Sequence, residues 1–276
     1  MSENLILQTV DGISFRMKQP YDFSFLKRFG RVFKVYDDQD SGNICFGLDD
    51  GTRRYFLKFA GAQTARCADT YENAVARLKS TAQLYKDLAH ENLIHLVLAE
   101  EMGGGYGMLF DWVEGFCMAR MYPEENERFF RLPVESRMNV FRDLLRFHIH
   151  AAEKGYAAVD FYDGSVLYVP EKDGAVVCDI DLYCKAPFVN EMGRMWGSSL
   201  FMSPEEHTLG AEINQRTNVY TFGAMAFAIF GRYQRTQDAW QLSPEHFALA
   251  QKAISEDPAE RFQTLQEFHD AWFSLR

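Results

Sequence analysis

Acidic side chains follow the short apolar run Val176–Cys178, where Asp179 and Asp181 stand on either side of Ile180. A hard cation that bridges phosphate groups prefers carboxylate oxygens, and the end of a buried strand would hold Asp179 in a fixed place. Asp181 could supply a second ligand. The two carboxylates are therefore candidate ligands of a hard cation. The alternative is that both aspartates are ordinary turn residues.

A glycine run is a second candidate for phosphate chemistry. Gly103, Gly104 and Gly105 lie between two segments of strand-like composition. No helix start follows them, so no set of free helical N–H groups is available to bind an anion. The pattern therefore predicts a hairpin turn and not a phosphate-binding loop.

Cysteine and histidine offer no metal site. Zinc needs closely spaced Cys or His ligands, which we do not find. His148 and His150 are expected on different faces of a helix, so we interpret the histidines as core or surface residues. The cysteines are odd in number and form no C-x-x-C pair, so we expect reduced thiols at Cys45, Cys67, Cys117, Cys178 and Cys184.

The first part of the chain is predicted to be rich in strands. Alternating or aromatic runs at 31–38, 43–50 and 52–60 predict strands, with a hairpin turn at Asp50-Gly51. Apolar residues at helical spacing predict a helix over 68–88, capped by Asp69 or Thr70. Two further strands are predicted at 92–102 and 105–113.

The second part is predicted to be mainly helical. A long helix is expected over 133–155, with Pro133 in its first turn and Gly155 at its exit. Short strands at 166–170 and 174–183 precede helices over 218–231, 243–254 and 264–275. A short joint near Asp111–Gly115 connects the two parts. The predicted domains are therefore 1–112 and 113–276.

Composition limits the classes of protein. The chain has 276 residues, of which 47% are hydrophobic and 25% charged, as is typical of globular proteins. The net charge of −10 argues against an extended nucleic-acid surface or an anionic membrane surface, because both select for clustered Lys and Arg. No apolar run reaches the ~18 residues of a membrane span. The first residues do not resemble a signal peptide, so we expect a cytoplasmic protein.

Three C-terminal segments carry a resemblance to a known family. The sequence GSSLFMSPEE at Gly197–Glu206 is similar to the end of a protein-kinase activation segment, with Ser-Pro-Glu in place of Ala-Pro-Glu. The predicted helix at 218–231 looks like the buried helix that follows it, and DPAERF looks like the segment that contains the family's late arginine, here Arg261. From Tyr21 to Trp272 the chain resembles eukaryotic-like Ser/Thr protein kinases.

This resemblance implies a fold and one contact. The fold would be α+β and bilobal, with a small β-rich N-lobe that has one main helix and a larger, mainly helical C-lobe. Arg261 would pair with Glu205. These segments identify a fold better than they identify an activity.

The resemblance also assigns roles to charged residues. Lys58 would hold the α- and β-phosphates of ATP, and Asp160 would accept the proton of the substrate hydroxyl. Asp179 would bind Mg²⁺ (or Mn²⁺), with Ser165 in the place of a metal-binding asparagine and Asp181 at a glycine position. The amine and the two acids Asp160 and Asp179 would converge across a cleft.

The same resemblance implies a slot for adenine. The backbone of Asp111 and Val113 would pair with the edge of the base, Leu167 would lie beneath it and Ile44 would form an apolar wall. Gly42 would be the last glycine of the loop that covers the phosphates. The alternative for the 110–113 segment is the plain end of a core strand.

Several positions depart from the family pattern. Asp37 and Gln39 replace glycines of the phosphate-covering loop, where side chains obstruct the approach of backbone N–H groups. Phe56 stands where a small residue normally leaves room for adenine. The helix glutamate that pairs with the lysine falls at Thr81, and Glu72, the nearest acidic alternative, lies on the opposite face. Further departures are Ala158 and Val159 for His-Arg, Tyr162 for a lysine, and Asn218 for the aspartate that orders the catalytic loop.

Two functional hypotheses follow. The first is an atypical protein kinase that transfers the γ-phosphate of ATP to Ser or Thr hydroxyls of a protein substrate with low turnover, because the key charges persist while the residues that refine their positions are mostly replaced. The second is a pseudokinase, a scaffolding domain that binds a protein partner. A small-molecule kinase on a related fold is a third option, which the Ser-Pro-Glu segment disfavours.

Overall fold

The computed structural model describes residues 5–39, 41–66 and 70–275. This part of the chain is a mixed α/β structure, with 37% of residues in helices and 24% in strands. The chain divides into two compact units. Unit 1 comprises Met1–Ala89 and Ile94–Val113, and unit 2 comprises His90–Leu93 and Glu114–Arg276.

Unit 1 contains a hairpin, a five-stranded antiparallel sheet and one α-helix. The hairpin is formed by β1 (Ile6–Val10) and β2 (Ile13–Met17). The sheet has the order β3-β4-β5-β7-β6. Its elements in chain order are β3 (Arg31–Tyr36), β4 (Asn43–Asp49), β5 (Arg54–Ala60), then the helix α1 (Tyr71–Asp87), then β6 (Leu96–Met102) and β7 (Gly105–Asp111). The predicted strands and helix of this part are confirmed, and the β1–β2 hairpin is an addition.

The two faces of the sheet carry different residues. β4 and β5 pair without a register shift, which places Cys45 opposite Lys58 and Ile44 opposite Phe59. Side chains alternate between the faces of a strand, so Lys58 and Cys45 share one face while Ile44 and Phe59 lie on the other. The second face contributes to the hydrophobic core of unit 1, with Phe15, Phe23, Leu26, Ile44, Phe46, Leu57 and Phe59.

The helix α1 packs on the Lys58 face. Its N-cap is Thr70, whose side chain accepts a hydrogen bond from the N–H of Asn73 at 3.3 Å. Asp69, the other predicted cap, lies outside the described residues. Tyr85 of α1 meets Phe110 of β7 edge-on, with ring centroids 4.9 Å apart.

The glycine run forms a hairpin turn, as predicted. Met102 pairs with Gly105 at the end of the β6–β7 ladder, which leaves Gly103 and Gly104 as the loop. Both have positive φ angles, 56° and 82°. A two-residue turn of this kind needs positive φ at both positions, which glycine adopts without steric cost.

Unit 2 combines five α-helices with short strands in its described residues. The helices are α2 (Pro123–Phe130), α3 (Val134–Glu153), α4 (Gln215–Gly231), α5 (Pro244–Ala253) and α6 (Leu265–Ser274). The strands are β8 (Phe116–Cys117), β9 (Tyr156–Ala157), β10 (Val166–Val169), β11 (Gly174–Val177), β12 (Cys184–Lys185), β13 (Phe188–Val189) and β14 (Glu212–Ile213). The sheet β11-β10-β8 is antiparallel, and β9 pairs with β12 and β13 with β14. No helix of the described chain combines the length and apolar character that crossing a membrane requires.

The helix α4 is the buried centre of unit 2. From Thr217 to Gly231 its residues are buried except for Tyr220. Asn214 caps its start, accepting a hydrogen bond from the N–H of Arg216 at 2.9 Å. The buried helix predicted at 218–231 is confirmed. Apolar side chains all round a helix require neighbours on every side.

The segment His90–Leu93 belongs to unit 2, although the predicted boundary placed it in the first domain. The N–H of Val177 donates to the carbonyl of Asn92 at 2.7 Å. The Asn92 side chain donates to the carbonyl of Ala175 at 3.0 Å. These bonds attach the segment to β11, a connection that local sequence patterns do not reveal.

Candidate functional site

The loop that carries Asp160 is held by side chains from other parts of unit 2. Asn218 of α4 accepts a hydrogen bond from the N–H of Ala158 at 2.9 Å and donates to the carbonyl of the same residue at 2.8 Å. Further along the loop, the Asp163 carboxylate accepts a hydrogen bond from the Tyr233 hydroxyl at 2.8 Å. Asn218 thus satisfies both backbone groups of Ala158, whereas an ionised aspartate could only accept.

The backbone of Asp160 is in the left-handed region, with φ of 59°. This conformation is uncommon for residues other than glycine and is concentrated at functional sites when the surroundings impose it. The next residue, Phe161, is 3% exposed and stacks on Phe222 of α4, with centroids 5.6 Å apart and an interplanar angle of 19°. Packing and hydrogen bonds on both sides of Asp160 therefore fix its position.

The pairing of β10 with β11 brings Ser165 next to the segment of Asp179. Val166 pairs with Val177, and just beyond the strands the N–H of Cys178 donates to the carbonyl of Ser165 at 2.9 Å. Asp179 follows directly. The predicted metal-site residues Ser165 and Asp179 therefore lie on adjacent stretches of backbone.

Asp160 and Asp179 are close enough to interact electrostatically. Burial, and to a lesser degree the negative charge of Asp179, raises the pKa of Asp160 to about 6. Burial first, and then both carboxylates, also raise the pKa of Tyr183 well above its usual value. A carboxyl group that titrates near neutral pH can take up and release a proton, as a general base must.

Ser165 provides an unsatisfied oxygen in this region. The residue is 1% exposed, and its hydroxyl has no hydrogen-bond partner in the described part of the chain. Leaving a buried hydroxyl unpaired costs free energy, which a cation ligand would offset. The backbone N–H of Asp181 lies 3.4 Å from the Asp179 carboxylate. The side chains of Ser165, Asp179 and Asp181 offer only oxygen donors, the type that Mg²⁺ prefers.

Protein ligands alone do not complete a metal site. Within the described ranges, no three His, Cys, Asp or Glu side chains are grouped so that they could hold a metal ion. Mg²⁺ commonly binds through one or two carboxylates together with water and substrate phosphates. The donor set therefore fits a cation that arrives with a phosphate ligand and does not fit a resident structural metal.

Lys58 lies in the interior of the unit 1 sheet. Its register partners are Cys45 on β4 and Met108 on β7. The hydroxyl of Thr81 on α1 lies 3.4 Å from the sulfur of Met108. Thr81 therefore lies on the same side of the sheet as Lys58. This is the position at which the family resemblance places a glutamate, and Thr81 offers a hydroxyl there instead of a carboxylate. Glu72 is exposed in the first turn of α1.

Phe56 shares the face of Lys58. Its ring lies 5.9 Å from that of Tyr36 and 6.3 Å from that of Phe110, measured between centroids. Aromatic rings at these distances attract each other in tilted geometries. The phenyl group at the position predicted for adenine is therefore packed against neighbours.

Ile44, which was expected to form an apolar wall of the adenine slot, lies on the face of the sheet opposite Lys58. Ile44 is fully buried in the core on the opposite face of the sheet. Cys45 stands opposite Lys58, and Gly47 stands opposite Phe56. In a strand, neighbouring residues point to opposite faces, so Cys45 and not Ile44 faces the Lys58 side.

The loop before β4 is tied to other parts of unit 1 by ion pairs. The Asp37 carboxylate accepts hydrogen bonds from the backbone N–H of Arg16 at 2.8 Å and from its guanidinium at 3.4 Å. Asp38 pairs with Arg66. Gly42, with φ of 81°, ends the loop in the left-handed region. Arginine side chains thus compensate part of the acidic charge of Asp37 and Asp38.

The end of β7 leaves one backbone donor for a ligand. The N–H of Asp111 donates to the carbonyl of His95 at 3.0 Å, and the N–H of Trp112 donates to that of Arg54 at 3.1 Å. None of the backbone hydrogen bonds among the described residues uses the N–H of Val113. In unit 2, Leu167 of β10 pairs with Cys117 and Val176 and is half-buried.

The ion pair predicted between Arg261 and Glu205 is confirmed. Two guanidinium nitrogens of Arg261 lie 2.7 and 2.9 Å from the two carboxylate oxygens of Glu205. The Arg261 side chain also donates to the carbonyls of Ser255, Arg216 and Glu256. A fully paired, buried arginine of this kind attaches the Ser203–Glu205 segment to the chain that precedes α6.

Glu206 is a residue that the sequence-based reasoning missed. It is 3% exposed, and its carboxylate accepts hydrogen bonds from the N–H and the hydroxyl of Ser203 at 2.7 and 3.0 Å. Burial raises the pKa of Glu206 to about 7, and the charge of Asp160 contributes to the rise. The two acids line one recess with Thr221. The available signal was the Ser-x-x-Glu spacing of a capping box.

The described cysteines are free thiols: Cys45, Cys117, Cys178 and Cys184. Cys67 lies outside the described residues. Burial raises the pKa of Cys117 to about 12 and that of Cys184 to about 11. Both are therefore poor nucleophiles at neutral pH, since the thiolate is the reactive form.

Comparison with known proteins gives no family assignment. Functional evidence therefore comes from the geometry of the two units and from the motifs. No protein-family model matches the chain, and no curated protein is similar enough to be counted as a relative.

Proposed function

We propose that the chain is an atypical protein-kinase-like phosphotransferase, with the bilobal α+β fold of that family. It transfers the γ-phosphate of ATP to Ser or Thr hydroxyls of a protein substrate, at low turnover. The observation that carries this proposal is the neighbourhood of Asp160. A carboxyl group with a pKa of about 6 sits on a braced loop, within electrostatic reach of Asp179.

Asp160 acts as the general base. At pH 7 the carboxyl group of Asp160 is ionised in most molecules, because its pKa is about 6. The substrate hydroxyl donates its proton to this carboxylate while its oxygen bonds to the γ-phosphorus and the bond from phosphorus to the ADP oxygen breaks. Asn218 keeps the loop in place during this step through Ala158.

Asp179, Ser165 and Asp181 would hold Mg²⁺ or Mn²⁺ together with phosphate oxygens. The unpaired hydroxyl of Ser165 supports this assignment. A cation held by these residues would supply positive charge next to the phosphates. Lys58 would bind the α- and β-phosphates, as the resemblance implies.

The remaining residues would bind the adenosine part. As the resemblance implies, the N–H of Val113 and the carbonyl of Asp111 would pair with the edge of the base, and Leu167 would lie beneath it. Gly42 would let the backbone before β4 approach the phosphates. The replaced glycines, and the hydroxyl of Thr81 in the place of a carboxylate, would weaken phosphate positioning and so lower turnover.

A specific observation favours pseudokinase function as the second candidate. Phe56 packs between Tyr36 and Phe110 on the face of Lys58, where adenine is expected. If that ring stays in place, the base has no room. The domain would then act by binding a protein partner.

Calorimetric titration with Mg-ATP tests the proposal. We expect saturable binding to the wild-type chain and at least tenfold weaker binding to Lys58→Ala. Arg28→Ala, which removes an exposed cation from the same unit, is the matched control and should bind as wild type does. Absence of Mg-ATP binding to the wild type would reject the phosphotransferase and favour the pseudokinase.

A further inference from the structure

A buried histidine on α3 contacts both segments that carry the acids. His148 is 2% exposed. Its ring lies 4.2 Å from that of Phe161, the residue after Asp160, and its Nε2 lies 2.6 Å from the hydroxyl of Tyr183. Tyr183 ends the segment that begins at Asp179. The His148 side chain therefore contacts one residue from each of the two segments that carry the carboxylates.

Hydrogen bonding determines the protonation state of this ring. Nδ1 lies 2.7 Å from the carbonyl of Leu144, which can only accept, so Nδ1 carries the proton. Nε2 is then the acceptor, and the Tyr183 hydroxyl donates to it. Burial lowers the pKa of His148 to about 3, so the ring stays neutral. A neutral ring with both nitrogens paired is a rigid link and not a proton carrier.

The Tyr183 side of the link is fixed as well. Tyr183 is 5% exposed, and its backbone N–H donates to the carbonyl of Ile180 at 3.0 Å. Ile180 is 1% exposed and separates Asp179 from Asp181. The turn of Asp179–Tyr183 therefore moves with the ring of Tyr183.

The Phe161 side is fixed by α4. Phe222 stacks on Phe161 and also meets the ring of His148, with centroids 4.8 Å apart. Phe161 follows Asp160 directly, and its buried ring is held between Phe222 and His148. His148 is thus packed between two aromatic anchors, one for each acidic segment.

We propose that His148 is a positioning residue that sets the separation between the Asp160 loop and the Asp179–Tyr183 turn. His148 acts through its contacts with Phe161 and Tyr183. The proposed role requires no contact between His148 and either carboxylate. The inference rests on the proposed function only for the chemical roles of Asp160 and Asp179. It also explains how the chain orders these segments although Ala158 and Val159 replace the His-Arg pair of the family.

Hydrogen exchange without nucleotide tests this role independently of catalysis. Tyr183→Phe keeps the ring and removes the hydroxyl. We expect amide exchange to accelerate at least tenfold in both 158–164 and 178–184, with α4 unchanged. Tyr168→Phe is the matched control, because it removes another buried hydroxyl of unit 2, bonded to Asp173 at 2.7 Å. It should leave both acidic segments protected.

Substitutions of the histidine separate positioning from packing. His148→Gln keeps an acceptor for Tyr183, whereas His148→Leu removes it. Protection in 178–184 should be largely retained in the Gln variant and lost in the Leu variant. Unchanged protection in Tyr183→Phe, or loss that extends equally through α3 and α4, would overturn the proposal. Failure of the wild type to bind Mg-ATP would reject the proposed function but would not affect the conclusion drawn from hydrogen exchange about His148.

Discussion

The buried ion pair between Glu205 and Arg261 gives the most quantitative prediction. Glu205→Gln keeps the shape of the side chain and removes the charge that faces the Arg261 guanidinium. Removing one partner of a buried pair costs about 3–5 kcal/mol. The side chain of Arg261 is fully buried and that of Glu205 is 11% exposed, while three backbone carbonyls remain as acceptors. We therefore expect a loss near the low end, about 3 kcal/mol.

Urea unfolding followed by tryptophan fluorescence measures this loss. Trp196, Trp240 and Trp272 lie in unit 2 and report on the region of the pair. Glu100→Gln is the control, because its partner Arg28 is 57% exposed and exposed pairs contribute at most about 1 kcal/mol. The reasoning is refuted if both substitutions cost the same.

Other substitutions test the remaining contacts. Asn218→Ala leaves both backbone groups of Ala158 unpaired and should cost about 2–4 kcal/mol in urea unfolding, while Asn218→Asp, which keeps the acceptor, should cost less. The pKa of Asp160 is about 6 when folded, above its unfolded value of about 3.9, so the folded state holds the proton more tightly. The stabilising contribution of the Asp160 carboxyl group is complete below about pH 4 and is lost as the pH rises through about 6. The Tm of Asp160→Asn should therefore fall less than that of the wild type across this pH range. Phe56→Ala should tighten Mg-ATP binding in calorimetry if the ring competes with adenine, and unchanged or weaker affinity would show that it does not. Iodoacetamide at pH 8 should modify Cys117 and Cys184 far more slowly than a free thiol, as peptide mass spectrometry can measure, because burial raises the pKa of both.

The elements with strong local patterns could be predicted from the sequence. α4 has apolar residues on all sides, and the Gly103-Gly104 turn needs a conformation that glycine favours. The helix α2 was not predicted, because Pro123–Phe130 is mostly polar and only Phe129 is buried. Its existence depends on tertiary contacts, which local propensity does not record.

The candidate site was predictable only where the motif fixes the register. Arg261 and Glu205 were matched correctly because both stand in ungapped segments. Ile44 was expected at the adenine slot, but it lies in the core on the face opposite Lys58, and one residue decides the face of a strand. The sequence left His148 open as a core or a surface residue, and its burial and its bond to Tyr183 depend on residues far apart in sequence.

Transfer of labelled phosphate is the most direct test of the central claim. The wild-type chain would be incubated with γ-labelled ATP, Mg²⁺ or Mn²⁺ and a degenerate set of Ser- and Thr-containing peptides. Asp160→Asn and Asp179→Asn would run in parallel, with Asp173→Asn as a control acid of the same unit. The account predicts slow incorporation by the wild type and the control, abolished in both test variants. Equal incorporation by wild type and Asp160→Asn, or none by any chain, would contradict it.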